Sequence, residues 1–376
     1  ALWLCLRFDA LPLEALLTPQ SLHSDMALVV ISQRQVLTCN EFAQLAGVMP
    51  GQSINTAQTL LAHQKNRFWE RSPEAENILL QQLLSWAYGI SPHLQQWQDN
   101  ALMIEIGSCL RLHHGLNKLL RRVDAEIGLR GLTVAKGVAE TRTAAWLLSH
   151  TDPYLSCRAE SPLEERIAPL PLTLLVTEFP QLVTRLEKAG ITQFSHLLRI
   201  SLPELGKRCG GLFINWLDRL MGRQQEPVIV YEPPRYFKDT LWFGFDIHNQ
   251  QELHPAMECL LDHFCLFLKN TQLTCGMIEW QYLQRQGSGE SLKVFSEAAQ
   301  QQAGRWFELS CLQLEKQTLP KDVEGLSLIV EQLQENSPPS TDLFHADVSR
   351  ISRYELADRL RSRLGLKAVG YIDYRE

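Results

Sequence analysis

The sequence predicts an α+β chain of more than one domain. Three observations carry this prediction. Residues 1–150 alternate strand and helix patterns, residues 175–225 show helical periodicity alone, and residues 236–335 run strand, helix, strand, strand, helix, strand. The last order is that of a split βαβ unit. At 376 residues the chain is too long for one ordinary hydrophobic core. Its hydrophobic fraction of 45% and charged fraction of 21% are those of a soluble globular protein.

The first element, LWLCLRF (residues 2–8), is almost wholly apolar, as a strand buried on both faces must be. It breaks on Arg7-Phe8-Asp9, and Pro12 opens a short leucine-rich segment. Residues 27–39 (ALVVISQRQVLTC) read as two short strands joined at the polar turn Ser32-Gln33-Arg34. Residues 40–62 then read as helix, stop, loop and helix, with Gly47 after the first helix and Pro50-Gly51 in the turn. Residues 74–90 place Ile78, Leu79, Leu83, Leu84, Trp86 and Ala87 at helical spacing, which predicts a helix packed on a sheet. ALMIEIGS (101–108) is a buried strand, followed by an amphipathic helix with Lys118, Arg121 and Arg122 on its polar face. GLTVAKGVA is one more strand, and TRTAAWLLS one more helix.

Residues 151–174 hold four prolines with little periodicity and read as a connector. In the helical segment 175–225, LEKAGITQFSHLL (186–198) has the shape of a helix-hairpin-helix. There a glycine between helices lets backbone N–H groups approach phosphates; an ordinary αα-hairpin explains the same pattern. Residues 226–235 (EPVIVYEPPR) form a second extended connector, and residues 336–376 a flexible, polar exit with a short helix.

Nine scattered cysteines without a C-x-x-C pair fit reduced cytoplasmic thiols used as small apolar residues. No apolar run reaches the ~18–20 residues of a membrane span, and no secretory signal is evident. The net charge of -6 argues against tight nucleic-acid binding, though local basic patches can still grip phosphate. His113-His114 are adjacent and so diverge on a helix, which favours a surface role over a metal site. The glycine-containing loops match neither a P-loop nor a dinucleotide fingerprint.

Taken in order, these pieces resemble the Y-family (DinB/UmuC-like, translesion) DNA polymerases, and most of all their ImuB branch, the polymerase-like accessory proteins of bacterial mutagenesis cassettes. IEIGSCLRLHHG (104–115) is similar to the family's Leu-Asp-Val-Thr-Gly-Ser-x-x-Leu-Phe-Gly stretch. CNEFAQLAGVMPGQS (39–53) parallels its fingers segment and LTVAKGVAETRTAAWLLS (132–149) a palm segment. The resemblance implies a palm over residues 1–150 with a fingers insertion at about 40–75. It implies a palm–thumb connector at 151–174, a helical thumb at 175–225, a linker at 226–235, a little finger at 236–335 and a clamp-binding tail at 336–376.

Active members hold two Mg²⁺ ions with one Asp at the end of the first palm strand and an Asp-Glu pair before the second. Ungapped alignment puts Arg7 on the first of these and Asn100-Ala101 on the pair. The family's triphosphate-contacting Tyr and Arg fall on Glu41 and Gln44, its palm Lys on Trp146, and its aromatic steric gate on Pro12. The resemblance therefore implies a catalytically inactive polymerase fold without metal or cofactor. It would act in SOS-induced translesion synthesis and mutagenesis, in the cytoplasm and at the nucleoid on damage. Partners implied are DNA, held weakly and without sequence preference, the β sliding clamp, the RecA-like ImuA and an error-prone DnaE-type polymerase. Lys188, Gly190, Lys207, Arg208, Arg219, Arg223, Arg235 and Lys238 would grip DNA. Asp342-Leu343-Phe344 would enter the clamp, with Ser340 standing where that motif has Gln. Two other expectations stay open: an active, divergent polymerase using Asp9, Asp99 and Glu105, and a plain DNA-binding module.

Overall fold

The computed structural model describes residues 1–16, 26–152, 156–157, 161–227, 231–247, 249–284, 287–296, 301–320, 323–335, and residues 356, 360 and 361. The expected clamp segment Asp342-Leu343-Phe344 lies outside the described residues. The chain divides into two compact units, Ala1–Tyr231 and Glu232–Glu376. The architecture is α+β in both.

The first unit is built on a four-stranded antiparallel sheet in which β1 (Trp3–Arg7) is central. Its other strands are β5 (Leu94–Trp97), β6 (Ala101–Glu105) and β7 (Ala135–Ala139), in the order β5-β6-β1-β7. The alternation of β1 explains its apolar sequence. Leu4 and Leu6 join one core with α4 (Pro73–Tyr88) and α5 (Leu116–Leu129), while Trp3 and Cys5 face a second core with α6 (Arg142–Leu148). Helix α6 lies directly on β7, and Gly137 makes that approach possible: a Cβ there would collide with the Ala145 carbonyl and the Ser149 amide. Overpacking against backbone cannot be relieved by a rotamer change, so Gly137→Ala should cost about 3 kcal/mol. For a unit this size that is roughly a 6–12 °C drop in melting temperature, which calorimetry would register.

After α1 (Leu11–Glu14), a smaller sheet is inserted, with strand order β3-β2-β4. Strands β2 (Ala27–Ser32) and β3 (Gln35–Cys39) form the expected hairpin, with Gln33 and Arg34 at φ 51° and 63°. Two consecutive positive φ values suit the right-handed twist of a two-residue turn. Strand β4 (Asn66–Glu70) pairs parallel to β2. Asn40 caps α2 (Glu41–Leu45) by accepting from the Ala43 N–H at 3.1 Å, and Ser53 caps α3 (Ile54–Leu60) in the same way at 3.2 Å.

The segment 163–175, expected as part of a connector, is structured. Helix α7 (Leu163–Ile167) and a 3₁₀ turn at Leu172–Leu175 bury Ile167, Leu170, Leu172 and Leu175 in the same core as α6. Its prolines set turns between short helices, which erases any long period. Helices α8 (Pro180–Lys188), α9 (Phe194–Leu198), α10 (Leu202–Cys209) and α11 (Gly211–Leu220) complete that core around Phe179, Phe194, Phe213 and Trp216.

The second unit has the expected β-α-β-β-α-β order. Strands β8 (Phe237–Ile247), β10 (Met277–Gln284), β11 (Gly287–Phe295) and β12 (Val323–Val330) pair antiparallel as β11-β10-β12-β8. The two-residue strands β9 (Leu273–Thr274) and β13 (Gln334–Glu335) pair with each other. Helices α12 (His254–Thr271) and α13 (Ala303–Leu314) cover one face, where Trp280 Nε1–H donates to Ser310 Oγ at 2.9 Å. Among the described residues no helix is long and apolar enough to cross a membrane.

Candidate functional site

The fold brings three of the sequence-selected positions together at one end of the first sheet. Arg7 is the last residue of β1 and stands opposite Ala101 on β6 and Ala135 on β7. The Phe8 N–H donates to the Asn100 carbonyl at 2.8 Å. Arg7, Asn100 and Ala101 are therefore spatial neighbours, although more than ninety residues separate them in sequence. Asp9 joins them from the turn after β1.

Arg7 continues the Trp3–Cys5 side of its strand and so points toward α6. Its Nε donates to Ser149 Oγ and its Nη2 to the Ser149 carbonyl, both at 3.0 Å, while Nη1 pairs with Asp9. The Arg7 side chain is 12% exposed and that of Asp9 62%. The exposed pair is worth little by itself. The larger contribution is the guanidinium at the C-terminal end of α6, where carbonyls lack helical partners and the helix dipole is negative. His150 lies beside it. Burial, then the Arg7 charge, pushes its imidazole below the ordinary value, and its Nδ1–H donates to the Trp146 carbonyl at 3.0 Å.

The other candidates are elsewhere. Glu105 stands opposite Trp3, at the far end of the strands from Arg7. It accepts from the Leu2 N–H and Ser108 N–H, each at 3.2 Å, and from the Ser108 hydroxyl. It closes the turn after β6. Asp99 is exposed and acts electrostatically on Arg71, which is bound to Glu76 at 2.7 Å and 2.8 Å. Asp9, Asp99 and Glu105 do not form one carboxylate cluster. Trp146 is buried among apolar residues with its indole N–H unpaired. Pro12 is half-buried in α1, and Glu41 and Gln44 are exposed on α2. Of the histidine pair, His113 Nε2 bonds the Ile90 carbonyl at 3.1 Å, and His114 occupies a turn at φ 58°.

The donor set at the Arg7 end is a guanidinium, an amide and a methyl group, with Asp9 already paired. Hard divalent cations take oxygen ligands, usually carboxylates. These residues do not fit the metal pair that active members of the resembled family hold.

Glu105 gives a pH prediction. Burial raises its pKa, but hydrogen bonds from the Ser108 hydroxyl and the N–H groups of Leu2, Ser108 and Gly107 outweigh this and lower it. A lowered carboxylate stabilises the fold above the unfolded value of about 4.3 and loses that contribution as pH falls through the folded value. The melting-temperature deficit of Glu105→Gln should thus be largest near neutral pH and shrink in acid. A deficit independent of pH would contradict it.

The glycine of the 186–198 hairpin ends a helix. Gly190 has φ 78°; its N–H donates to the Glu187 carbonyl, and the Ile191 N–H donates to that of Leu186. This is a Schellman arrangement, with Leu186 buried and Ile191 packed against the same core. The N–H groups of Phe194 and Ser195 are likewise taken, by the carbonyls of Leu170 and Ala168. The N–H groups of Gly190, Ile191, Phe194 and Ser195 are therefore spent inside the fold. Lys188, Lys207, Arg208, Arg219 and Arg223 are exposed, but Arg208 pairs with Glu204 and Arg223 with Asp218. In the second unit Arg235 and Lys238 are exposed. Lys238 lies in a cross-strand row with Ile329, Glu279 and Lys293 on the sheet face away from the helices.

Sequence reasoning missed Arg142. It is 3% exposed, donates from Nε to Glu226 at 3.0 Å, from Nη1 to Gln95 at 2.8 Å and from Nη2 to the Pro227 carbonyl at 2.6 Å. The rings of Trp3 and Trp97 flank the guanidinium at 5.4 Å and 5.7 Å. This cluster ties the segment after the last helix to the sheet. The charges of Arg142 and Glu226 lie 84 residues apart, and no local pattern marks them.

Residues 9–150 match the impB/mucB/samB family. Over 223 residues the chain is 24% identical to Protein ImuB of two strains of Caulobacter vibrioides, a match covering 59% of this chain. The chain spans about half the length of these curated relatives, 48%. Among solved structures, a Dbh ternary complex is similar at 13% identity with a TM-score of 0.46. DinB from Sulfolobus solfataricus is similar at 15% identity and 0.42. Each covers 89% of this chain and 100% of the other.

Proposed function

We propose that the chain is a non-catalytic, polymerase-like adaptor in DNA damage tolerance. In this reading it links an error-prone DnaE-type polymerase and the RecA-like ImuA to the β sliding clamp on DNA during SOS-induced translesion synthesis. The family match over residues 9–150 and the similarity to Protein ImuB support the damage-tolerance role. The observation that carries the loss of catalysis is Arg7. A permanent cation fills the strand end where active members place a metal-binding carboxylate, and hydrogen bonds fix it there. Asn100 and Ala101 beside it supply no carboxylate. The alternative set Asp9, Asp99 and Glu105 is dispersed over a paired surface residue, a hairpin loop and the opposite strand end.

DNA contact in this reading comes from exposed side chains: Lys188, Lys207, Arg219, Arg235 and Lys238, with Arg208 and Arg223 sharing their charge with acids. So few exposed cations predict weak binding to duplex DNA that added salt weakens further. Asp342-Leu343-Phe344 would dock in the clamp groove as a short extended segment.

Primer extension by the purified chain with Mg²⁺ or Mn²⁺ tests the central point. No template-directed incorporation is expected. Incorporation that disappears in Asp99→Ala would overturn the adaptor reading. A clamp pull-down tests the tail: Leu343→Ala with Phe344→Ala should abolish retention, and unchanged retention removes the clamp from the proposal.

A further inference from the structure

The second unit holds a cysteine, a histidine and an aspartate in line. Cys259 and His263 are one helical turn apart on α12, so their side chains share a face. Cys259 Sγ lies 3.8 Å from His263 Nε2, and His263 Nδ1 lies 2.7 Å from Asp239 Oδ2 on β8. Asp239 is 2% exposed. Its second oxygen accepts the Thr240 N–H at 2.7 Å. His263 is placed to pair with this buried side chain. Burial alone would lower the imidazole, but the hydrogen bonds with Asp239 and Cys259 outweigh it and push the value up to about 10. The imidazolium then points Nε2–H at the sulfur, where it can stabilise negative charge that develops there.

We propose that Cys259, backed by His263 and Asp239, is a modification site that exchanges with low-molecular-weight disulfides. Cys259 releases its proton to solvent, and its thiolate accepts the hydrogen bond from Nε2–H. The sulfur attacks one sulfur of the disulfide. The new S–S bond forms as the old one breaks, and the departing thiolate takes a proton from solvent. Cys259 is oxidised and the released thiol is the reduced product. The site is partly open, since Cys259 is only partly buried and His263 is 35% exposed.

The same unit contains a comparison. Cys311 Sγ lies 3.8 Å from His254 Nε2, but a phenylalanine ring, Phe307, rather than a carboxylate packs edge-on against that imidazole. Burial, then Glu315 and Glu258, raises the Cys311 thiol. Of the two acids nearest Cys259 in sequence, Glu258 thus acts on Cys311, and Asp262 acts on Cys265.

The test treats the folded chain with glutathione disulfide at pH 7, blocks remaining thiols and maps the adducts by peptide mass spectrometry. Cys259 should be modified at least about tenfold faster than Cys209 or Cys311, each held up by burial. His263→Gln keeps a donor to Asp239 but removes the charge, and should slow Cys259 by about tenfold with circular dichroism unchanged. Asp239→Asn should slow it similarly, and His263→Gln stands alone if that variant does not fold. Cys259 reacting no faster than Cys209 and Cys311, or reacting fast in His263→Gln as well, overturns the proposal.

Discussion

Arg142→Ala is expected to destabilise the first unit by about 3–5 kcal/mol, the cost of leaving one member of a buried ion pair alone. Glu226 would keep its charge inside the protein without its cation, and Gln95 and the Pro227 carbonyl would lose their donors. The faces of Trp3 and Trp97 would also lose the cation between them. A thermal melt of the first unit should show the loss directly. Glu226 has a second role, because it accepts from the N–H groups of Arg142 and Thr143 at 3.2 Å and 3.4 Å and so caps α6. The double variant Arg142→Met with Glu226→Gln keeps a capping oxygen, removes both charges and fills the space between the tryptophans. It should recover most of the stability. Equal losses in the single and double variants would show that packing, and not the unpaired charge, is what Arg142 supplies.

The parts of the fold legible in the sequence are those whose signal is local. The β1 run, the hairpin at Gln33-Arg34, the helix 73–88 and the βαββαβ order each depend on period or turn chemistry within a dozen residues. The missed elements have no such signal. Strand β4, NRFWE, is an edge strand whose residues are exposed or half-buried, so no alternation marks it. Strand β5, LQQW, buries Gln95, whose side-chain oxygen accepts from Arg142 on α6. The segment 163–175 buries leucines through short turns between prolines.

The candidate site divides in the same way. Alignment to a family brings Arg7, Asn100 and Ala101 into view, and strand register places them side by side. Glu105, one of the acids of the divergent-polymerase alternative, lies close to Asn100 and Ala101 in sequence, yet register sends it to the strand end away from Arg7. Ser149 and His150 carry no motif; only the packing of α6 on β7 brings them to Arg7. Cys259 reads as one apolar cysteine among nine until β8 sets Asp239 behind His263.

Placing an aspartate at position 7 is expected to weaken the fold and to build no metal site. Arg7 now supplies two hydrogen bonds to Ser149 at 3.0 Å and a charge at the end of α6. An aspartate would set a carboxylate against that carbonyl end and beside Asp9, where both the helix dipole and the neighbouring charge oppose it. The lost charged hydrogen bonds alone are worth about 1.5–3 kcal/mol each at most sites, reduced here because the Asp9 side of the cluster meets water. A net cost of about 2–3 kcal/mol is expected. Arg7→Met should cost less than Arg7→Asp, since it removes the cation without adding an anion. The decisive measurement is the melting temperature of Arg7→Asp with and without Mg²⁺. A site rebuilt around a guanidinium has an amide at Asn100 and a methyl at Ala101, so Mg²⁺ should leave the variant unchanged. Stabilisation by Mg²⁺ in Arg7→Asp and not in the native chain would mean that the remaining oxygens still hold a metal geometry. The adaptor reading would then lose the observation that supports it most.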